Sequence, residues 1–286
     1  MFDFFSEPFE VIDLGVYLDA ADYAPWTYKA KHVSHQEGAR AMANQLNRLD
    51  LGERENGKID NADFPESMGL AWSHLWLTDH AGNHIDAPYH FGPTVAGAPA
   101  KTIDQVPLSW CIGPGVRLDF RHRAEQDITV DDLKQELKRL NVTLKPGMIP
   151  LIWSGADAYV EADDQYWQKQ AGLSLEGLYY LLDQGVRLVG IDGYAMDVSF
   201  STMQAEHEKD SPMFLPAHFA GREREHMHLE KLANLGVLPQ DTGFLFAAFP
   251  VKIRGGSAGW VRPVAIVPRS QFEQSAETAV SPSASS

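Results

Sequence analysis

Between residues 80 and 90 the chain reads His80-Ala81-Gly82-Asn83-His84-Ile85-Asp86-Ala87-Pro88-Tyr89-His90. Four side chains able to bind a cation or move a proton stand there, all at even positions. Successive side chains of an extended backbone alternate faces, so His80, His84, Asp86 and His90 would share one side. The other even positions, Gly82 and Pro88, add little bulk. A helix fits less well. His80 and His84 would align at i, i+4, but Asp86 would lie well round the cylinder, and Gly82 and Pro88 disfavour helix. The segment is therefore expected as an irregular extended stretch that follows a strand over residues 70–77.

Two imidazoles and one carboxylate suit zinc, manganese or iron(II). Three protein ligands with an open position are what metal-assisted hydrolysis needs, because the ion activates water near neutral pH and polarises a carbonyl. His90, four residues past the carboxylate, is placed to act as acid or base. A lone histidine is more often a surface residue or a satisfied core residue. Three histidines and an aspartate within one short segment of a chain with 11 histidines are hard to explain that way. A structural metal is disfavoured by the lack of cysteine ligands.

The rest of the chain frames this segment. Its 286 residues carry a formal net charge of −15, which argues against non-specific nucleic-acid or anionic-membrane binding. Cys111 is the single cysteine, so no intrachain disulfide forms. No apolar run has the length to span a bilayer, and the N-terminus does not read as a signal peptide. A cytoplasmic location is expected. Short apolar runs predict strands over 11–14, 70–77, 115–120, 148–153, 187–191, 244–249 and 261–267. Helical patterns predict helices over 31–49, 130–140, 174–184 and 229–235, with Ser174 as an N-cap and Gly185 past a C-terminus. This mixture, with no Pro/Gly/Ser linker, predicts a single α/β domain over residues 1–270. Residues 271–286, rich in Ser and Ala, are expected to be a disordered tail. The polar stretch 194–216 is expected to be a functional lid.

The 80–90 segment resembles the H-x-G-T-H-x-D-x-P-x-H signature of the cyclase-like metal-dependent hydrolases, which include bacterial kynurenine formamidases and isatin hydrolase. Asn83 stands where Thr is usual. Further likenesses are Leu151-Ile152-Trp153-Ser154-Gly155, Gly190-Ile191-Asp192 with Asp197, Pro216-Ala217-His218, the run Leu229 to Leu235, and Val261-Arg262-Pro263-Val264-Ala265-Ile266. Ala195 replaces a usual Ser. The resemblance implies a swivelling β/β/α architecture, usually in an oligomer. It also implies that His80, His84 and Asp86 bind a first metal and that Asp86 bridges to a second in two-metal members. There His218 would bind the second ion, Glu230 would contact both, and His90 would transfer the proton. On one continuous helix, His218 and Glu230 would lie about 120° apart, so they must converge from separate segments. His226 and His228 are nearer to Glu230, but beside Arg222, Glu223, Arg224 and Glu225 they read as an exposed polar helix face.

Other residues have weaker claims. Trp26, Tyr28, Trp72, Trp76 and Phe91 would line an aromatic pocket or, more commonly for such residues, pack as core. His74 is read as structural and His207 as solvated or part of the lid. Asp192 and Asp197 would orient ligands or cap turns. Cys111 lies in no nucleophile context, and 255–259 reads as a tight loop.

Together these features lead to a metal-dependent hydrolase cleaving an amide or strained cyclic amide of a small, aromatic substrate through a metal-activated water, with His90 as proton shuttle. The expected cofactor is zinc or manganese, one or two ions per chain, in a homo-oligomer, dimer or tetramer. A lactone hydrolase on the same site is the nearest rival. A non-catalytic metal-binding protein is the rival of a different class.

Overall fold

A computed structural model describes residues 7–18, 28–49, 57–160, 163–207 and 214–280. The chain groups into two compact units, one of residues 1–23 with 79–286 and one of residues 24–78.

The larger unit is built on a mixed nine-stranded sheet. Its order is Phe9–Asp13, Val264–Pro268, Phe244–Ala247, Ile112–Asp119, Ile149–Trp153, Leu188–Ile191, Met227–Glu230, His84–Asp86 and Ala258–Trp260. The four strands from Ile112–Asp119 to Met227–Glu230 run parallel, and the outer pairings are antiparallel. Parallel strands covered on both faces need apolar side chains on both faces. Accordingly Ile149, Leu151, Leu188 and Leu229 pack into one cluster, with Phe244 and Phe246. Ile152, Val189 and Ile191 turn to the other cluster, where Leu133, Leu137, Leu178 and Leu181 cover them.

Those four leucines come from the helices Val130–Arg139 and Leu175–Asp183. The first is fixed by a capping box between Thr129 and Asp132, with acids in its first turn and Lys138 and Arg139 in its last. The second starts at Ser174, whose hydroxyl accepts from the Gly177 amide, and Gly185 follows it at φ +86°.

In the smaller unit, Tyr28–Val33 and Trp72–Leu77 pair antiparallel, and His35–Leu46 is a helix. The helix expected over 31–49 therefore begins later. Ser34 and Glu37 form its capping box and leave the preceding residues to strand pairing. Gly38 is needed there because a Cβ would lie 1.9 Å from the Leu70 carbonyl oxygen.

Three further expectations change. Residues 227–230 form a strand rather than part of a helix. Both edges of this strand are paired, and Lys231 at φ +63° turns the chain out of it. The stretch 194–216 contains a helix, Phe200–His207. Order also continues past residue 270 as the helix Arg269–Val280, because Phe272 packs on the core and Gln271 Nε2 donates to the Gly243 carbonyl.

Asp192 ends the strand Leu188–Ile191 and caps the neighbouring turn, accepting from the Ser154 amide and hydroxyl and from the Gly155 amide. Burial pushes its carboxyl up to about 7, and the nearby Asp157 adds to the shift. A carboxyl with a raised folded-state pKa holds a proton that the unfolded chain has lost. Its stabilising contribution is complete below the ordinary range near 4 and is lost as pH rises through about 7. The melting temperature is therefore expected to fall by a few degrees between pH 5 and pH 8. Asp192→Asn should flatten that dependence in a thermal melt series, and an unchanged slope would count against a proton held on Asp192.

Candidate metal centre

The strand His84–Asp86 lies between Met227–Glu230 and Ala258–Trp260. Cross-strand register sets His228 opposite Asp86 and Glu230 opposite His84. Directly opposed residues point to the same face, so His84, Asp86, His228 and Glu230 share one side of the sheet.

The parity argument for residues 80–90 is valid only within this strand. His80 comes from the preceding turn, where Gly82 adopts φ +56° and a Cβ would crowd the Leu18 side chain. His90 comes from a single helical turn, Pro88–Phe91, opened by Pro88 where no amide donor is needed. The Asn83 side chain fastens the turn. Its Oδ1 accepts from the Val16 amide at 2.6 Å, and its Nδ2 donates to the Lys231 carbonyl at 2.5 Å. Asn83 thus ties the His80 turn to the residue after Glu230.

The sequence-predicted residues converge. His80 Nδ1 lies 2.9 Å and His84 Nε2 3.3 Å from Asp86 Oδ1. His84 Nε2 is 3.5 Å from Glu230 Oε2, and His218 Nε2 is 3.5 Å from Glu230 Oε1 and 3.8 Å from Asp86 Oδ2. An ion held tetrahedrally at ~2.0–2.1 Å keeps its donors ~3.3 Å apart. Most of these spacings are close to that value. His218 arrives on the short helix Pro216–Phe219, and Glu230 on the strand, so no continuous helix has to carry both.

Hydrogen bonds fix which nitrogen of each ring faces the cluster. His84 Nδ1 donates to the Gly82 carbonyl at 2.9 Å, leaving Nε2 with its lone pair inward. His218 Nδ1 meets Asp197 Oδ2 at 2.5 Å, while Asp197 Oδ1 accepts from the Ala217 amide. The Ser257 hydroxyl donates to Asp79 and so receives His80 Nε2 at 3.0 Å, which leaves His80 Nδ1 facing Asp86. Such outer partners orient ligands around a metal. Asp86 is fully buried, and neither of its oxygens has a hydrogen-bond donor. A buried carboxylate without donors is costly unless a cation meets it. Two groups of donors are close enough to hold one: His80, His84 and Asp86, and Asp86, His218, His228 and Glu230.

Electrostatics agree with a site short of positive charge. Burial raises the Glu230 carboxyl, and the Asp86 charge raises it further. Burial opposes the imidazolium of His218, but the Asp197 hydrogen bond and the charges of Asp197, Glu230 and Asp86 carry it up to about 9. His90 moves the other way, since desolvation and the rings of His80, His218 and His84 lower it, which favours a neutral ring. His90 is exposed, whereas His84, Asp86, His218 and Glu230 are buried. Its ring centroid is 4.2 Å from that of His80 and 5.6 Å from that of His218.

His228 was missed as a participant, and the exposed helix face expected for His226 and His228 is incorrect. Both rings are fully buried. The positions 226, 228 and 230 alternate as in a strand, a signal that the charged run 222–225 hid. Asp197 orients His218, whereas Asp192 caps a turn. Phe91 is core, stacked on His226 with centroids 5.0 Å apart. Trp72 and Trp76 belong to the two-stranded sheet of the smaller unit, Trp26 lies outside the described residues, and no side-chain position is described for Tyr28 or His207. Burial pushes the Cys111 thiol up to about 12, so it is no nucleophile.

The putative cyclase family model matches residues 12–198. This chain belongs to the putative cyclase family. The match contains the whole 80–90 segment and stops short of His218 and Glu230, which are placed by geometry. A kynurenine formamidase from Salinibacter ruber is 27% identical over 190 residues, covering 66% of this chain and 77% of that relative. Isatin hydrolase A from Ralstonia solanacearum is similar in structure, with a TM-score of 0.67 at 21% identity, over 91% of this chain and 92% of that one. An isatin hydrolase bound to the product analogue thioisatinate gives 0.66 at 21% identity, over 91% and 93%. These structural likenesses show a shared mixed α/β fold.

Asp197→Asn would present an amide N–H to His218 Nδ1 and favour the tautomer whose Nε2 carries hydrogen. Affinity for a divalent ion is expected to fall ~10–100-fold with the fold retained. Zinc titration against a chromophoric chelator, with circular dichroism alongside, measures this, and an unchanged affinity would refute the orienting role.

Proposed function

We propose that the chain is a metal-dependent hydrolase that cleaves an amide or strained cyclic amide of a small, aromatic substrate, with His90 as the proton shuttle. The observation that carries this reading is the joining of two donor sets at the buried Asp86, with the exposed imidazole of His90 beside them. His80, His84 and Asp86 would hold the first ion, with His218 and Glu230 placed for a second. A divalent ion bound there supplies Lewis acidity and makes water nucleophilic near neutral pH. The residues do the rest. Glu230 and Asp86 fix the cation, while the backbone and side-chain partners of His80, His84 and His218 fix the ligands. His90 accepts the proton released as the carbonyl is attacked and returns it to the leaving nitrogen. The donor set accepts zinc or manganese alike.

The amide preference and the aromatic character of the substrate rest on similarity to the formamidase and isatin hydrolase relatives. A lactone would present the same carbonyl and leave through oxygen, so it is the second reading. A homo-oligomer, dimer or tetramer, fits the exposed Trp72, Leu75 and Trp76 on a two-stranded sheet, which is a weak structure in isolation. Among the described residues no helix is long and apolar enough to cross a membrane. A cytoplasmic location, without nucleic-acid or membrane partners, fits the acidic composition and the lone, buried cysteine.

The test is His90→Ala assayed with an N-formyl arylamine, isatin and small lactones, with bound metal counted in parallel. The variant is expected to keep its metal and lose hydrolysis by ~100-fold or more. Equal activity would remove His90 from the mechanism. Hydrolysis of lactones alone by the unaltered protein would favour the second reading, and no hydrolysis by metal-loaded protein would favour a non-catalytic metal-binding protein.

A further inference from the structure

The buried pair His226 and His228 has no part in the proposed reaction, although His228 is near Asp86, His218 and Glu230. His226 Nδ1 is 2.8 Å from the Arg224 carbonyl oxygen, which can only accept, so that nitrogen carries the hydrogen. In a neutral ring, His226 Nε2 is then an acceptor. It lies 2.9 Å from His228 Nε2, which must be the donor. The hydrogen of neutral His228 is thereby assigned to Nε2, and Nδ1 is left as a bare lone pair. That Nδ1 atom is buried and has no hydrogen-bond partner. An unmet acceptor in the interior is uncommon and calls for a cation or a donor.

The surroundings favour a cation. His228 stands directly across the strand pair from Asp86, whose two oxygens also lack donors. One ligand atom from each of Asp86, His218, His228 and Glu230 lies within 4.8 Å of the others, and all four residues are buried. Phe91 closes the ring side, with centroids 4.8 Å from His228 and 5.7 Å from His218. Four protein donors with no open position are the mark of a structural ion, and three with an exposed side are the mark of a reactive one.

We propose that His228, through Nδ1, is the fourth protein ligand of a second divalent-cation site with Asp86, His218 and Glu230. That site is saturated by protein, whereas the site at His80, His84 and Asp86 stays open beside His90. This rests on the metal reading above. The second ion is then structural, and the two ions differ in exchange and in affinity.

The experiment counts ions on the full chain. Chelator-stripped protein is titrated with zinc against a chromophoric competitor, bound metal is measured after dialysis, and cobalt loading is followed by its visible absorption. The unaltered chain is expected to take two ions. His228→Gln keeps an amide near the Nε2 position but no donor at Nδ1, so it should weaken the second ion by at least about tenfold and leave the first unchanged. His228→Asn restores a donor atom near Nδ1 and should recover part of the loss. If His228→Gln does not fold by circular dichroism, His226→Phe keeps the stack on Phe91 while removing the acceptor that orients His228. It should weaken the second ion alone. Two ions bound by His228→Gln with unaltered affinities would overturn the proposal and leave the metal reading intact. No ion bound by the unaltered chain would overturn the metal reading itself.

Discussion

Asp86 and Glu230 are buried close together on adjoining strands, and the surrounding site serves to make that placement tolerable. Two carboxylates in such surroundings repel and lose hydration, which is reflected in the upward shift of Glu230 beside Asp86. Hydrogen-bond donors would be the ordinary remedy, yet Asp86 has none. Imidazole nitrogens of His80, His84 and His218 surround the pair instead. A cation between them would relieve the cost of burying both carboxylates.

The fold earns this arrangement through its outer hydrogen bonds. Gly82, Ser257 with Asp79, and Asp197 select one tautomer each for His84, His80 and His218. These partners come from three separate parts of the chain. The sheet contributes register: the antiparallel match of Glu230 with His84 and His228 with Asp86 gathers four functional groups on one face. His90 stands outward, on a helical turn fastened by Arg222 Nε at the Phe91 carbonyl.

Much of the candidate centre was legible because its candidate donors are dense in sequence. His84 and Asp86 share a face by simple alternation, and the resemblance pointed to His218 and Glu230 from a distance. The parts that were not legible depend on tertiary pairing. Residues 227–230 read as helix because basic and acidic neighbours suggested a solvated face, whereas pairing on both edges made a buried strand. That misreading hid His226 and His228. His80 does come close to Asp86, but the turn at Gly82, not strand parity, brings it in. The helix Arg269–Val280 was hidden by a Ser/Ala-rich composition, although Phe272 anchors it to the core.

The central claim is that this carboxylate pair exists to hold a cation. The most direct measurement is anomalous diffraction at the metal absorption edge from crystals of protein purified without chelators. The account requires a peak ~2.0–2.2 Å from His80 Nδ1, His84 Nε2 and an oxygen of Asp86. Ordered density without any anomalous peak at these side chains, in crystals grown with zinc or manganese present, would contradict it.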